Sequence, residues 1–90
     1  MVIAIVLLNV EKDKIHTIAE ILNDIKEVTE VYSVAGKYDL AVILRHKADE
    51  KIEEVITENI LKIDGIKDSE TLIAFRVYSR YNLERMFEME

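Results

Sequence analysis

Ninety residues, half of them hydrophobic and a third charged, make one domain that folds throughout and leave no room for a second core. The net charge of −6 argues against a domain that works by neutralising phosphates, and the lack of cysteine excludes disulfides, thiolate nucleophiles and Cys-ligated metals. A chain this short buries only a little over ~60% of its unfolded surface, so a partner that completes its core is expected.

Val2–Val10 is a continuous aliphatic run rich in Val and Ile, which reads as a strand buried on both faces. It has no basic n-region and no small-residue cleavage site, and it is too short to cross a bilayer, so the protein is expected to be soluble and cytoplasmic. Ile15, Ile18, Ala19, Leu22 and Ile25 recur at spacings of three and four, one apolar stripe on a helix from about Asp13 to Lys26. Val31–Ala35 and Asp39–Arg45 are β-rich runs on either side of Gly36-Lys37-Tyr38, the pattern of a hairpin. Asp49 is placed to cap a second helix running to about Leu61, with Ile52, Val55, Ile56, Asn59 and Ile60 on or near its inner face. Asp64-Gly65 then turns the chain into a long last strand, Asp68–Tyr78. The tail from Tyr81 to Glu90 carries Leu83, Met86 and Phe87 at helical spacing, the mark of a short extra helix that packs on a neighbour. Residues 1–78 thus form the domain and 79–90 its tail. The absence of Gln, Trp, Pro and Cys beside abundant Ile, Lys and Glu leans towards a thermophilic source.

This order predicts an α+β fold, a ferredoxin-like βαββαβ sandwich with two helices on one face of a four-stranded antiparallel sheet and right-handed crossovers. Val2–Leu8, Leu40–Leu44 and Leu72–Phe75 are apolar at consecutive positions, so both sheet faces must be dry. Two helices cover only one of them. Four strands with five residues each present roughly 300 Å², and pairing two such faces contributes on the order of 10 kcal/mol before association costs. A face-to-face homodimer is the expectation.

Local chemistry is sparse. GKYD offers a glycine for a positive φ, exposed amides, and the side chains of Lys37, Tyr38 and Asp39; taken alone it is a well-formed turn that also has partners for both ends of a zwitterion. Alternation puts Ser69 and Thr71 on one face of the last strand, placed to line a polar rim of the otherwise apolar interface. His16 and His46 lack metal-ligand spacing and read as surface residues, and Asp49–Glu54 reads as a solvated helix face with carboxylates near the positive N-terminus. Arg76, Tyr78, Arg80, Tyr81 and Arg85 interleave basic and aromatic residues, but Leu40–Leu44 lacks the stacking aromatics of an RNA-binding sheet, so an interface or ion-pairing role is preferred. No Ser/His/Asp set, phosphate loop or close carboxylate pair is present, which argues against an enzyme.

Val31–Leu40 with its G-x-Y-D hairpin, followed by a helix, the Gly65-Ile66 turn and the Thr71-Leu72-Ile73 of the last strand, resembles the effector-binding RAM (regulation of amino-acid metabolism) module of the Lrp/AsnC transcription regulators. The resemblance covers about residues 1–78. Full-length members carry an N-terminal helix-turn-helix domain, whereas this sequence begins at the first strand and so is similar to the stand-alone RAM proteins, which implies no direct DNA binding. The resemblance further implies sheet-to-sheet dimers, their assembly into rings, most often octamers, and an amino acid or related small metabolite bound where dimers meet. Ligand-contacting positions carry over to Gly36, Lys37, Tyr38 and Asp39 of the hairpin and to Lys67, Ser69 and Thr71 of the last strand, with a neighbouring chain contributing. Lys67 stands where the family more usually has a neutral polar residue, and Asp64-Gly65 replaces its small-residue/Pro-Gly turn. In this reading the Gly36 and Lys37 amides and the Ser69 or Thr71 hydroxyl take the ligand carboxylate and Asp39 its ammonium group. No cofactor or metal is implied, and a full-length Lrp/AsnC regulator is a candidate partner in mixed oligomers.

Two alternatives share this pattern. A small enzyme of the dimeric α+β barrel type needs a cavity between the sheets, which the aliphatic faces argue against. An ACT-type amino-acid-binding module needs a glycine in its first loop, and Asn9–Lys14 has none.

Overall fold

The computed structural model describes residues 1–78 and Arg80. The helix expected at Leu83, Met86 and Phe87 lies outside the described residues. Strand β1 (Val2–Val10) leads through a 3₁₀ turn (Lys12–Lys14) into helix α1 (Ile15–Asn23), then to β2 (Val28–Ser33) and β3 (Leu40–His46). Helix α2 (Asp49–Glu54) continues as a π-helical stretch (Val55–Ile60), and β4 (Ile66–Ala74) closes the domain. The sheet order is β2-β3-β1-β4, antiparallel throughout, which is the expected ferredoxin-like arrangement.

The two most apolar strands, β1 and β3, occupy the centre. Alternation sends Ala4, Val6, Leu8 and Val10 of β1 and Leu40, Val42 and Leu44 of β3 to one face, where all are buried beneath Ile18 and Leu22 of α1 and Ile52, Val55, Ile56 and Ile60 of the second helix. Their β-branched and leucine side chains fill the space between sheet and helices. Full burial stabilises each by about 1.5–3 kcal/mol.

The opposite face is also apolar at its centre, and among the described residues no element covers it. Register aligns Ile43, Ile5 and Leu72 in one row across β3, β1 and β4, with Ala41, Leu7 and Glu70 in the next and Arg45, Ile3 and Ala74 on the far side. Tyr32 and Glu30 extend the first two rows onto β2, and Glu30 pairs with Arg45 at 3.0 Å. An apolar centre is thus framed by charges.

The structure departs from the sequence reading at several ends. β2 begins at Val28, because Val28 is buried and pairs with Leu44 across an irregularity at Thr29 that polar residues concealed. β4 stops at Ala74, opposite Ile3, since β1 has nearly run out as a pairing partner. α1 is shorter than expected at both ends. Ala48, not Asp49, is the N-cap of α2; its amide donates to His46 Nδ1 at 3.1 Å, and Asp49 lies in the first turn beside the positive helix end. In the π-helical stretch the Leu61 amide reaches back five residues to the Ile56 carbonyl, and this wider turn leaves Asn59 exposed while Val55, Ile56 and Ile60 are buried.

Candidate functional site

The ends of β1 and β2 and the starts of β3 and β4 meet at one edge of the molecule, and the loop from Val34 to Asp39 spans it. Asp39 ties that loop to β1. Its backbone amide donates to the Leu8 carbonyl at 2.9 Å and its carbonyl accepts from Val34 at 3.0 Å. Its carboxylate accepts from the Val10 amide at 2.9 Å and from Lys12 Nζ at 3.0 Å. The Val10 hydrogen bond, then Lys12, hold its pKa below the usual carboxylate range, and the charge of Lys67 adds to the effect. Both carboxylate oxygens are therefore engaged within the chain.

At the loop's tip Gly36 takes φ +141°, and a Cβ there would meet nothing within 4 Å, so the backbone is open to an approaching molecule. Lys37 Nζ lies 5.8 Å from the centroid of the Tyr38 ring. The Tyr38 hydroxyl crosses to β4 and donates to the Glu70 carboxylate. That hydrogen bond, with burial and the charges of Glu70 and Asp68, raises the Tyr38 pKa.

Of the seven residues implied by the resemblance, the chain therefore brings Gly36, Lys37, Tyr38, Asp39 and Lys67 to one edge. Ser69 and Thr71 share a face, as alternation requires, but it is the helix side: they pair with Leu8 and Val6, whereas Glu70 pairs with Leu7 on the open side. Ser69 is half-buried, and its amide is held by the Asp68 carboxylate at 2.9 Å. Thr71 lines a separate cleft of about 480 Å³ between the second helix and β4. Sequence reasoning overlooked Glu70 as the partner of Tyr38, although the period of two already placed it opposite Ser69 and Thr71. The latch of Asp39 onto Val10 and Lys12 carried no sequence signal, because it joins residues 27 and 29 positions apart. Among the described residues no three His, Asp or Glu side chains gather as a metal site, and no helix is long and apolar enough to cross a membrane.

An α+β domain with one sheet face left uncovered by the described residues and an open loop at the sheet's edge has the form of a small binding module. The family model for the Lrp/AsnC ligand binding domain matches residues 3–83, and the chain belongs to that family. A Pyrococcus furiosus HTH-type transcriptional regulator is 29% identical over 86 residues, which are 96% of this chain and 57% of that protein. The chain spans about half the length of the curated relatives it matches. Among solved structures, TTHA0845 from Thermus thermophilus is 39% identical with a TM-score of 0.82, over 89% of this chain and all of that one. A Neisseria meningitidis transcriptional regulator solved as an L-Met complex shares the fold at a TM-score of 0.78 and 14% identity, over 88% of this chain and 53% of its own.

Proposed function

We propose that this domain binds a small effector, an amino acid or a close relative, at the hairpin edge where subunits meet, and that binding shifts its assembly in the service of transcription regulation. The observation that carries this reading is the match of residues 3–83 to a ligand-binding domain family, because the matched span includes both the GKYD hairpin and β4.

The geometry supplies the chemistry. The open Gly36 and Lys37 amides and the ammonium groups of Lys37 and Lys67 suit a carboxylate. With Asp39 committed to holding the loop, Glu70 beside Tyr38 is the available acceptor for an ammonium group, and Asp39 acts as a positioning residue. Ser69 and Thr71 face the other side of β4, so one chain does not surround a ligand with all seven residues. A second subunit completes the set, and a ligand that bridges subunits favours the assembled form by its differential affinity. The uncovered rows around Ile5 pair with their copy in a homodimer, and dimers assemble further, an octamer being the expected ring. Mixed oligomers with a full-length Lrp/AsnC regulator provide a route to DNA. The role is non-enzymatic and cytoplasmic. The barrel-enzyme alternative lacks support, because the 480 Å³ cleft lies on the helix side and is lined by neither Tyr38 nor a histidine.

Calorimetric titration of the full chain with the twenty amino acids and close analogues, L-methionine first, tests the reading alongside light scattering of the eluted assembly. Saturable binding that changes the assembly mass and weakens by roughly tenfold or more in Glu70→Gln is expected, as for loss of a charge-assisted hydrogen bond. No binding at millimolar ligand refutes the function. Unchanged affinity in Glu70→Gln refutes the residue assignment.

A further inference from the structure

Charge at the hairpin edge is unevenly committed. Asp39 faces the Val10 amide and Lys12, Asp68 faces the Ser69 amide, and Glu11 faces Lys14 at 3.5 Å. Glu70 accepts the Tyr38 hydroxyl on one of its two oxygens. Lys12 and Lys14 are thereby paired. Lys37 and Lys67 are exposed, and among the described residues neither forms an ion pair.

The backbone fixes where Lys67 stands. The register of β4 against β1 shifts between the Asn9–Asp68 and Val10–Ile66 pairs, so Lys67 is the extra residue of a bulge, with no partner of its own on β1. A bulge of this kind re-aims a side chain away from the regular alternation of its strand. Val10 joins the bulge to the hairpin: its amide binds the Asp39 carboxylate, and its partner on β4 is Ile66, the residue before Lys67. The Lys67 charge accordingly reaches Asp39 and helps to lower its pKa.

We propose that the effector is a dicarboxylic amino acid, with its α-carboxylate on the Gly36 and Lys37 amides, its ammonium group on Glu70 and its side-chain carboxylate on Lys67. This rests on the effector reading above and adds the class of ligand. The reason is desolvation. A ligand that seals this edge between subunits takes Lys67 out of water, and an ammonium group buried without a counter-charge is strongly disfavoured. A neutral ligand side chain leaves that charge unpaired and a cationic one repels it, whereas a carboxylate pairs with it. Asp39 does not serve instead, because releasing Val10 and Lys12 would free the loop that carries the two amides.

Calorimetric titration of the full chain compares L-glutamate and L-aspartate with L-glutamine and L-asparagine, which match them in shape and lack only the second charge. The better acid is expected to bind at least ~10-fold more tightly than its amide, the worth of one charge-assisted hydrogen bond, and L-lysine is expected not to bind. Lys67→Met brings the acid down to the affinity of its amide and leaves the amide unchanged, while Lys67→Arg keeps the preference. An amide that binds as tightly as its acid, or binding confined to other amino acids, overturns the proposal and leaves the effector reading standing. Equal weakening of acid and amide in Lys67→Met also overturns it, by giving Lys67 a structural role alone. Binding of no amino acid at millimolar concentration removes both the proposal and the effector reading.

Discussion

Ile5→Asp places a carboxylate at the middle of the uncovered sheet face, between Ile43 of β3 and Leu72 of β4. Four strands at ~4.8 Å spacing and five residues in length give each face roughly 300 Å². Two faces buried together remove about 600 Å², or about 15 kcal/mol of gross hydrophobic stabilisation. Association itself costs between about 4 and 15 kcal/mol, so a dimer paired through these faces has a net margin of between about 0 and 11 kcal/mol. A symmetric dimer of the variant buries two carboxylates, each with a desolvation penalty of several kcal/mol, a cost comparable to that margin. A rise in the dimer dissociation constant of at least ~1,000-fold, about 4 kcal/mol, is therefore expected. Ile5 is only half-buried in one chain, so the variant monomer keeps its fold. Light scattering after size exclusion at micromolar concentration reads the mass, and far-UV circular dichroism confirms folding. Ile21→Asp, on the exposed side of α1, is the control that keeps the wild-type mass. An Ile5→Asp protein that also keeps the wild-type mass refutes the face-to-face arrangement.

Further outcomes follow from the hairpin edge and the two glycines. Asp39 has its folded pKa lowered below the ordinary 3.8, so its stabilising contribution is complete above that value and disappears as pH falls through the lower folded one. Carboxyl-carbon NMR titration locates this midpoint, a value at or above 3.8 contradicts the latch, and Asp39→Asn abolishes the acid-dependent loss of Val10 amide protection. Tyr38 behaves in the opposite sense: its pKa is raised from 10.0, so its contribution is complete below 10.0 and is lost as pH rises through the folded value. Glu70→Gln brings the tyrosinate absorbance transition back down, and an unmoved transition argues against the Tyr38–Glu70 hydrogen bond. Gly65 takes φ +103°, and a Cβ there would lie 2.8 Å from Lys14 Cδ and 3.0 Å from the buried Ile18 Cδ1. Gly65→Ala therefore costs about 2–3 kcal/mol in urea unfolding, against about 1 kcal/mol for Gly36→Ala, whose strained φ has open space around it. The reverse order refutes the packing argument.

Much of the fold was legible because apolar patterning is a local signal. Val2–Val10 emerged with its observed bounds, the hairpin arms lay on either side of Gly36, and strand order followed from the right-handed crossover rule. Polar residues hid the start of β2 at Val28, and the β-rich composition of Phe75–Tyr78 extended β4 past the point where β1 offers hydrogen-bond partners. The π-helical turn at Val55–Ile60 left no mark in the residue pattern beyond Asn59, which a regular helix would have carried inward.

The candidate site divides along the same line. Sequence by itself determined the members of the hairpin and the shared face of Ser69 and Thr71, since both are properties of consecutive residues and a period of two. Tertiary structure alone decided what those residues do. It committed the Asp39 carboxylate to Val10 and Lys12, brought Tyr38 to Glu70 across 32 positions, and turned Thr71 into a cleft that the second helix does not cover. The physical reason is that hydrogen-bond partners and uncovered surface depend on which strands become neighbours and how far a helix reaches over them, and neither quantity is written in any short stretch of the chain.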